Sequence, residues 1–307
     1  MYPELFKIGP FTVYSYGLMM GIAFIVASYI LIKEFERKKL NPSAATEITL
    51  LAIVFGVIGS KLLDLIENWN SFIRNPSIAF SPGGLTFYGG FILGTIAIFI
   101  YVKKKKYSFL YIADATSPSL ILAYGIGRIG CQLSGDGDYG IPTNLPWGMT
   151  YPNGTVKPHN ILKVFYQNHP ALAVKDHFHQ LSSQIVGYDH YGTITKFDEV
   201  IRLHPTPIYE FLACLIIFFI LWKLRKKDWA DGKLFMVFLL FAGIERFTVE
   251  FIRLNPKLLF GLTEAQLISI VLIMIGLPGY IYLTKNKDKL HRFIPPPYKK
   301  ETKKVKG

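Results

Sequence analysis

The sequence predicts an all-α polytopic membrane protein of about seven transmembrane helices, with a small extracytoplasmic head of mixed structure. Three observations lead there. Of the 307 residues, 51% are hydrophobic and only 18% charged, which is too apolar for an ordinary soluble domain of this length. Apolar windows of about 20 residues, the length a helix needs to cross a bilayer core, recur along the chain. Basic residues gather between alternate windows.

Seven windows qualify, at 13–32, 46–66, 84–102, 110–130, 207–224, 234–252 and 265–283. The first follows Glu4 and Lys7 and precedes a basic cluster. That is the reverse of a secretory signal, so a retained span is expected. The fourth is the most polar, with Asp114, Ser117, Pro118 and Ser119 in its early turns; such residues require protein, not lipid, around them. The windows divide the chain into a first membrane block of four spans (1–130), a head (131–206), a second block of three spans (207–284) and a basic cytoplasmic tail (285–307). Within the head, "YGTITKF" alternates like a strand and "YPNGTV" reads as a turn. The tail, ending "PPPYKKETKKVKG", is expected to be disordered near the inner leaflet.

Charge sets the orientation. Of the 34 Lys and Arg, 22 fall on the side of the Lys33–Lys39 cluster and of the tail, nine fall on the other side, and Lys61, Arg128 and Arg246 lie inside spans. The excess marks the cytoplasmic side and places the N-terminus outside. The net charge of +13 therefore suits anionic lipid headgroups and argues for no nucleic-acid partner. Cys131 and Cys214 are too few for a disulfide framework, and Cys214 lies within a span.

Charged residues inside a bilayer are costly, by roughly 2.5–3.5 kcal/mol for an arginine at a helix centre. Lys61 has Asp64 three residues on, and Arg246 has Glu250 four residues on, the spacing of helical neighbours. Arg128 has no acid within four residues, so its partner comes from another segment or from a ligand. It stands in "GRIGCQLSGDGDYG" (127–140), whose five glycines allow close approach of a helix or a headgroup. A guanidinium fork matches phosphate or carboxylate bidentately. The residues alone thus point to a membrane-embedded site for an anion near the outer side. His169, His177, His179 and His190 fall within one loop, a spacing better suited to surface or structural roles than to a metal site.

That block, preceded by "DATSPSLILAY", resembles the signature of the prolipoprotein diacylglyceryl transferases, bacterial membrane enzymes with seven spans. Four further blocks match in order: "YGLM" at 16–19, "GGLTFYGG" at 83–90, "HPTPIYE" at 204–210 and "GIERFTVEFIR" at 243–253. The resemblance implies transfer of the diacylglyceryl group of phosphatidylglycerol to the thiol of a lipobox cysteine in a prolipoprotein, in the bacterial cytoplasmic (inner) membrane, with no metal or other cofactor. It implies catalytic roles for Arg128, Arg246 and Tyr88. Substrate binding falls to Arg128, Tyr16, Cys131, Asp136, Gly140, His204 and Glu250, with Glu250 orienting Arg246.

Two departures from the family pattern bear on mechanism. Tyr88 stands where many members carry a histidine proposed as general base, and a phenol with a reference pKa near 10 is a poorer base at neutral pH. His204 is a possible substitute, with a structural role beside Pro205 as the alternative. Cys131 stands where the family usually has asparagine; packing and a covalent intermediate are the two readings. One added residue before "YG" leaves Asp136 and Asp138 both open as the family's acid. Two readings from other classes remain at this point: a membrane carrier for an anionic lipid or solute, and a non-enzymatic receptor for secreted or lipidated proteins.

Overall fold

A computed structural model describes residues 1–9, 11–81, 86–168, 201–287 and 293–295. The strand expected at 191–197, the four loop histidines and most of the tail lie outside the described residues.

The chain opens with an antiparallel hairpin, β1 (Glu4–Ile8) and β2 (Phe11–Tyr14), which leads directly into α1 (Ser15–Arg37). Next come α2 (Pro42–Glu67), the short α3 (Trp69–Arg74), α4 (Phe87–Lys104) and α5 (Phe109–Ser134). After the segment that holds α6 (Pro158–Asn168), the second group begins: α7 (Thr206–Leu224), α8 (Lys233–Val249) with a 3-10 turn at Glu250–Ile252, a small β3 (Lys257–Leu259) and β4 (Leu262–Thr263) hairpin, and α9 (Glu264–Lys285). Helix ends carry local signals. Asn41 accepts from Ser43 N at 3.1 Å before Pro42 at the head of α2, and Thr263 and Gln266 form a reciprocal capping box at α9.

Six helices, α1, α2, α4, α5, α7 and α9, are long and apolar enough to cross a membrane. The remaining expected span, 234–252, is α8, which has 17 helical residues and runs about 26 Å at 1.5 Å per residue. α8 packs between α7 and α9. Its first turn is tied to Asp114 and its last brings Arg246 to Glu210, so it joins the same two ends of the bundle as its neighbours.

α5 is the central helix. Half of its apolar window is buried, against 17–33% for the other five, and it packs against α1, α7 and α8. The polar residues that made its window weak find partners in protein. Both carboxylate oxygens of Asp114 accept backbone N–H groups at 2.8 Å, from Gly232 and Phe235. Ser117 and Ser119 return their hydroxyls to the helix backbone at 2.7 and 2.8 Å. Lys61 meets Asp64 at 3.6 Å, as the spacing implied.

Past α5, Gly135 adopts the left-handed conformation (φ +60°), a conformation that glycine takes without a Cβ clash, and ends the helix. The chain then builds a small core of Tyr139, Tyr151, Leu162, Ile201 and Leu203, which Leu254, from beyond α8, completes. The segment after α5 is therefore packed onto the second helical group at the end where Arg128 lies.

Candidate active site

Three arginines and three acids meet at that end of the bundle. Arg128 sits six residues before the end of α5. Glu210 is on the first turns of α7, and Arg246 is near the end of α8, with Glu250 and Arg253 on the turn that follows. Asp138 lies on the loop after α5.

Glu210, fully buried, is the hub. Arg128 Nε reaches its Oε2 at 3.1 Å, Arg246 Nη1 pairs with its Oε1, and Arg253 Nη1 meets the two oxygens at 3.2 and 3.3 Å. Asp138 forms a second bridge, one oxygen to Arg128 Nη1 and the other to Arg253 Nη2. Glu250 is the third acid: Oε2 faces Arg246 Nη2 at 3.2 Å and Arg253 Nε at 3.7 Å, while Oε1 accepts from Asn255 at 2.6 Å. The Tyr124 ring lies 4.8 Å from the Arg128 guanidinium carbon. Buried ions persist only when paired, and here each has an opposite charge within 4 Å, although Glu250 Oε2 and Arg253 Nε make no hydrogen bond to a described residue.

Exposure separates the three cations. Arg253 is 3% exposed at its side chain, whereas Arg128 and Arg246 keep 17% and 21%. No described residue engages Arg128 Nη2. Arg253 is thus an interior strut holding Asp138 and Glu210, and Arg128 and Arg246 are the two that retain an open edge. The sequence left Arg128 without a partner; the structure supplies one from α7 and one from the following loop. The site is charge-compensated rather than simply electropositive.

Asp138 belongs to this cluster through direct ion pairs, and Asp136 does not. Burial alone would raise the Asp138 carboxyl, but Arg253, then Arg128 and Arg246, hold it below the usual carboxylate range. Asp136 instead hydrogen-bonds Cys131 and accepts from Asp138 N at 3.4 Å; burial, then the charge of Asp138, pushes its carboxyl up. Cys131 is buried, with Arg128 Nη1 3.8 Å from its sulfur. Ligand atoms of Cys131, Asp136 and Asp138 lie within 4.8 Å of one another. Asp138 is already bridged to two arginines, however, and a divalent cation there would face the Arg128 charge, so Asp138 is committed to the ion-pair cluster rather than poised as a ligand.

Tyr16 closes on α5 from α1: a Cβ added at Gly130 would lie 3.2 Å from its ring. Tyr88, on the first turn of α4, shares a hydrogen bond with Glu264 at the start of α9 and lies within electrostatic reach of Arg246. Gly140 has a structural reason. Its N–H donates to His204 O at 2.9 Å, Ile141 N donates to Ile252 O at 2.8 Å, and a Cβ at 140 would stand 2.6 Å from that of His204 and 2.7 Å from Ile252 O. Only glycine lets these three backbones meet. His204 joins no arginine. Its Nδ1 lies 3.1 Å from Tyr209 Oη, which also accepts from Trp147 at 2.8 Å, and burial lowers its pKa.

Glu210 and Arg253 were not singled out as site residues from sequence. A signal for Arg253 was present: Arg246, Glu250 and Arg253 follow at i, i+4 and i+7, one face of a continuing helix.

Fold and site together define a polytopic helical membrane protein with an arginine–carboxylate cluster at one end of its bundle. Comparison with known proteins is specific: the chain matches the prolipoprotein diacylglyceryl transferase family over residues 3–282 and belongs to it. It is similar to phosphatidylglycerol–prolipoprotein diacylglyceryl transferases of Clostridium tetani (31% identity, covering 90% of this chain and 96% of the relative), Dehalococcoides mccartyi (30%, 93% and 95%) and Nostoc sp. (27%, 95% and 93%).

Proposed function

We propose that this chain transfers the diacylglyceryl group of phosphatidylglycerol to the lipobox cysteine of prolipoproteins, forming a thioether and releasing glycerol phosphate. One observation carries the mechanism. Arg128 and Arg246, on different helices, hold the two oxygens of the single Glu210 carboxylate, so their guanidinium groups already converge on one anion while each keeps an open edge.

In the reaction, the lipobox sulfur attacks the glyceryl carbon, the bond from that carbon to the phosphate oxygen breaks, and the thiol proton goes to the developing phosphate or to water. A diester monoanion becomes a monoester, so negative charge accumulates on the leaving group. Guanidinium groups fixed in advance stabilise it without reorganisation at the moment of bond breaking. Arg128 grips the phosphate through its free Nη2, Arg246 grips it from α8, and Glu250 and Arg253 hold that arrangement. Tyr88, whose hydroxyl donates to Glu264, turns that one proton to the phosphate when the lipid is bound, and Tyr16 and Gly140 shape the walls. The excess of Lys and Arg at the opposite end sets the site toward the outer leaflet, with the N-terminus outside and the C-terminus cytoplasmic, in the bacterial inner membrane.

The test is mass spectrometry of a lipobox peptide incubated with the purified full chain and phosphatidylglycerol. Gain of one diacylglyceryl mass on cysteine supports the assignment. Lipid movement without covalent change would turn it to a carrier, and neither outcome would remove both.

A further inference from the structure

At the far end of the bundle from the arginine cluster lies a concave cavity of about 350 Å³, within the size range of ligand sites. Its place follows from the helices: α1 runs from Tyr16, beside Arg128, to Arg37; α7 runs from Glu210 to Leu224; and α5 carries Asp114 at its early turns and Arg128 near its end. Five cations line it, Arg37, Lys38, Lys39, Arg225 and Lys227, against three acids, Asp114, Asp228 and Asp231.

The acids are committed to protein groups. Asp114 accepts from Gly232 N and Phe235 N, Asp231 accepts from Phe293 N at 2.8 Å, and Asp228 pairs with Lys287 at 3.2 Å. Beneath the cavity the fully buried Glu34 carboxylate is shared by Arg37, at 2.9 Å, and Arg225. One carboxylate thus holds two guanidinium groups in place and neutralises one charge. Lys38 folds back over the Tyr111 ring at 3.8 Å. Among the described residues, Lys39 and Lys227 have no carboxylate partner, and both are exposed. Burial lowers the Lys38 pKa, a cost that a bound anion would offset. A cationic face alone is what any cytoplasmic loop shows. A half-open concavity with its arginines fixed by a buried glutamate, its carboxylates held by protein donors and outnumbered by cations, and Trp229 in its lining is more than that.

We infer that this cavity is a second anion site, for a phosphate-bearing group, separate from the site at Arg128. Phosphate suits the donor set because the guanidinium groups supply directed N–H bonds and the lysines supply point charge. A phospholipid headgroup from the leaflet at that end and a soluble phosphomonoester share this chemistry.

The inference does not rest on the transferase reading and is tested apart from it. Trp229 reports on this cavity and is remote from Arg128. The purified full chain in neutral detergent is titrated with phosphatidic acid in mixed micelles and, separately, with glycerol phosphate, following tryptophan fluorescence and subtracting the same titration of Trp229→Phe. A saturable change that depends on Trp229 is expected, weakened at least tenfold in a Lys39→Gln/Lys227→Gln double variant, whose diacylglyceryl transfer stays at the parent rate. Saturation by phosphatidic acid alone assigns the lipid source, and saturation by glycerol phosphate assigns the soluble one. Absence of a saturable change with both probes, or an unweakened response in the folded double variant, overturns the inference.

Discussion

Arg128 and Glu210, carried on α5 and α7 and 82 residues apart, meet at 3.1 Å through Nε and Oε2. Glu210 is fully buried and also holds Arg246 and Arg253. Replacing it by glutamine removes the one charge that three guanidinium groups share. Breaking a buried pair in this way costs about 3–5 kcal/mol. Glu210→Gln is expected to melt at lower temperature in detergent and to lose transfer altogether, whereas Glu245→Gln, on α8 but outside these pairs, should keep measurable turnover.

Arg128→Ala and Arg128→Lys are both expected to lower turnover about 100-fold or more, since removing one fixed donor from a developing oxyanion costs 10²–10³ and a point charge does not reproduce the fork. The mass-shift assay on lipobox peptide reads it, with a thermal melt to show that each variant folds. Ordinary turnover in folded Arg128→Ala would refute the phosphate grip.

Tyr88 is half-exposed and shares its hydroxyl with Glu264. Loss of one hydrogen bond to a charged acceptor is worth about 1.5–3 kcal/mol, so Tyr88→Phe should slow transfer by a factor of about 10 to 100. Complete inactivity of a folded Tyr88→Phe would instead make the phenol the acid–base group.

Cys131 is buried, with its thiol beside Asp136. Cys131→Ser and Cys131→Ala are expected to retain transfer. Abolished activity, together with a diacylglyceryl adduct on Cys131 in the parent enzyme, would establish a covalent route.

Asp138 supplies a pH signature. Its carboxyl titrates below the ordinary value near 3.9 because Arg253 and Arg128 outweigh its burial. A lowered carboxyl pKa contributes stability that is complete above the unfolded value and disappears as pH falls through the folded one. Melting temperatures of parent and Asp138→Asn should therefore differ by a constant amount from about pH 5 to 7 and converge in stronger acid. A gap that widened on acidification would contradict the pairing.

The spans were legible because length and hydropathy are local, and the Arg246–Glu250 and Lys61–Asp64 pairs because helical spacing is local too. Glu210 escaped because nothing near it in sequence demands a cation; its three arginines come from residues 128, 246 and 253. Asp138 and Asp136 are two residues apart on one loop, and only the direction of the chain after Gly135 decides which of them faces Arg128. α8 looked like an ordinary span. It is helical over 17 residues before a 3-10 turn at Glu250–Ile252, and Arg246 near its end is accommodated by ion pairs with α7 and that turn.

α5 is pinned at both ends: Asp114 holds the first turn of α8, and Arg128, fourteen residues and about 21 Å further along the axis, holds α7. A tie rod anchored in this way resists sliding, because a shift of one helical pitch would break both joints together. For the transfer proposed above, such a frame would leave lipids of different bulk to be accommodated by the side chains around it, with the Arg128–Glu210 spacing unchanged.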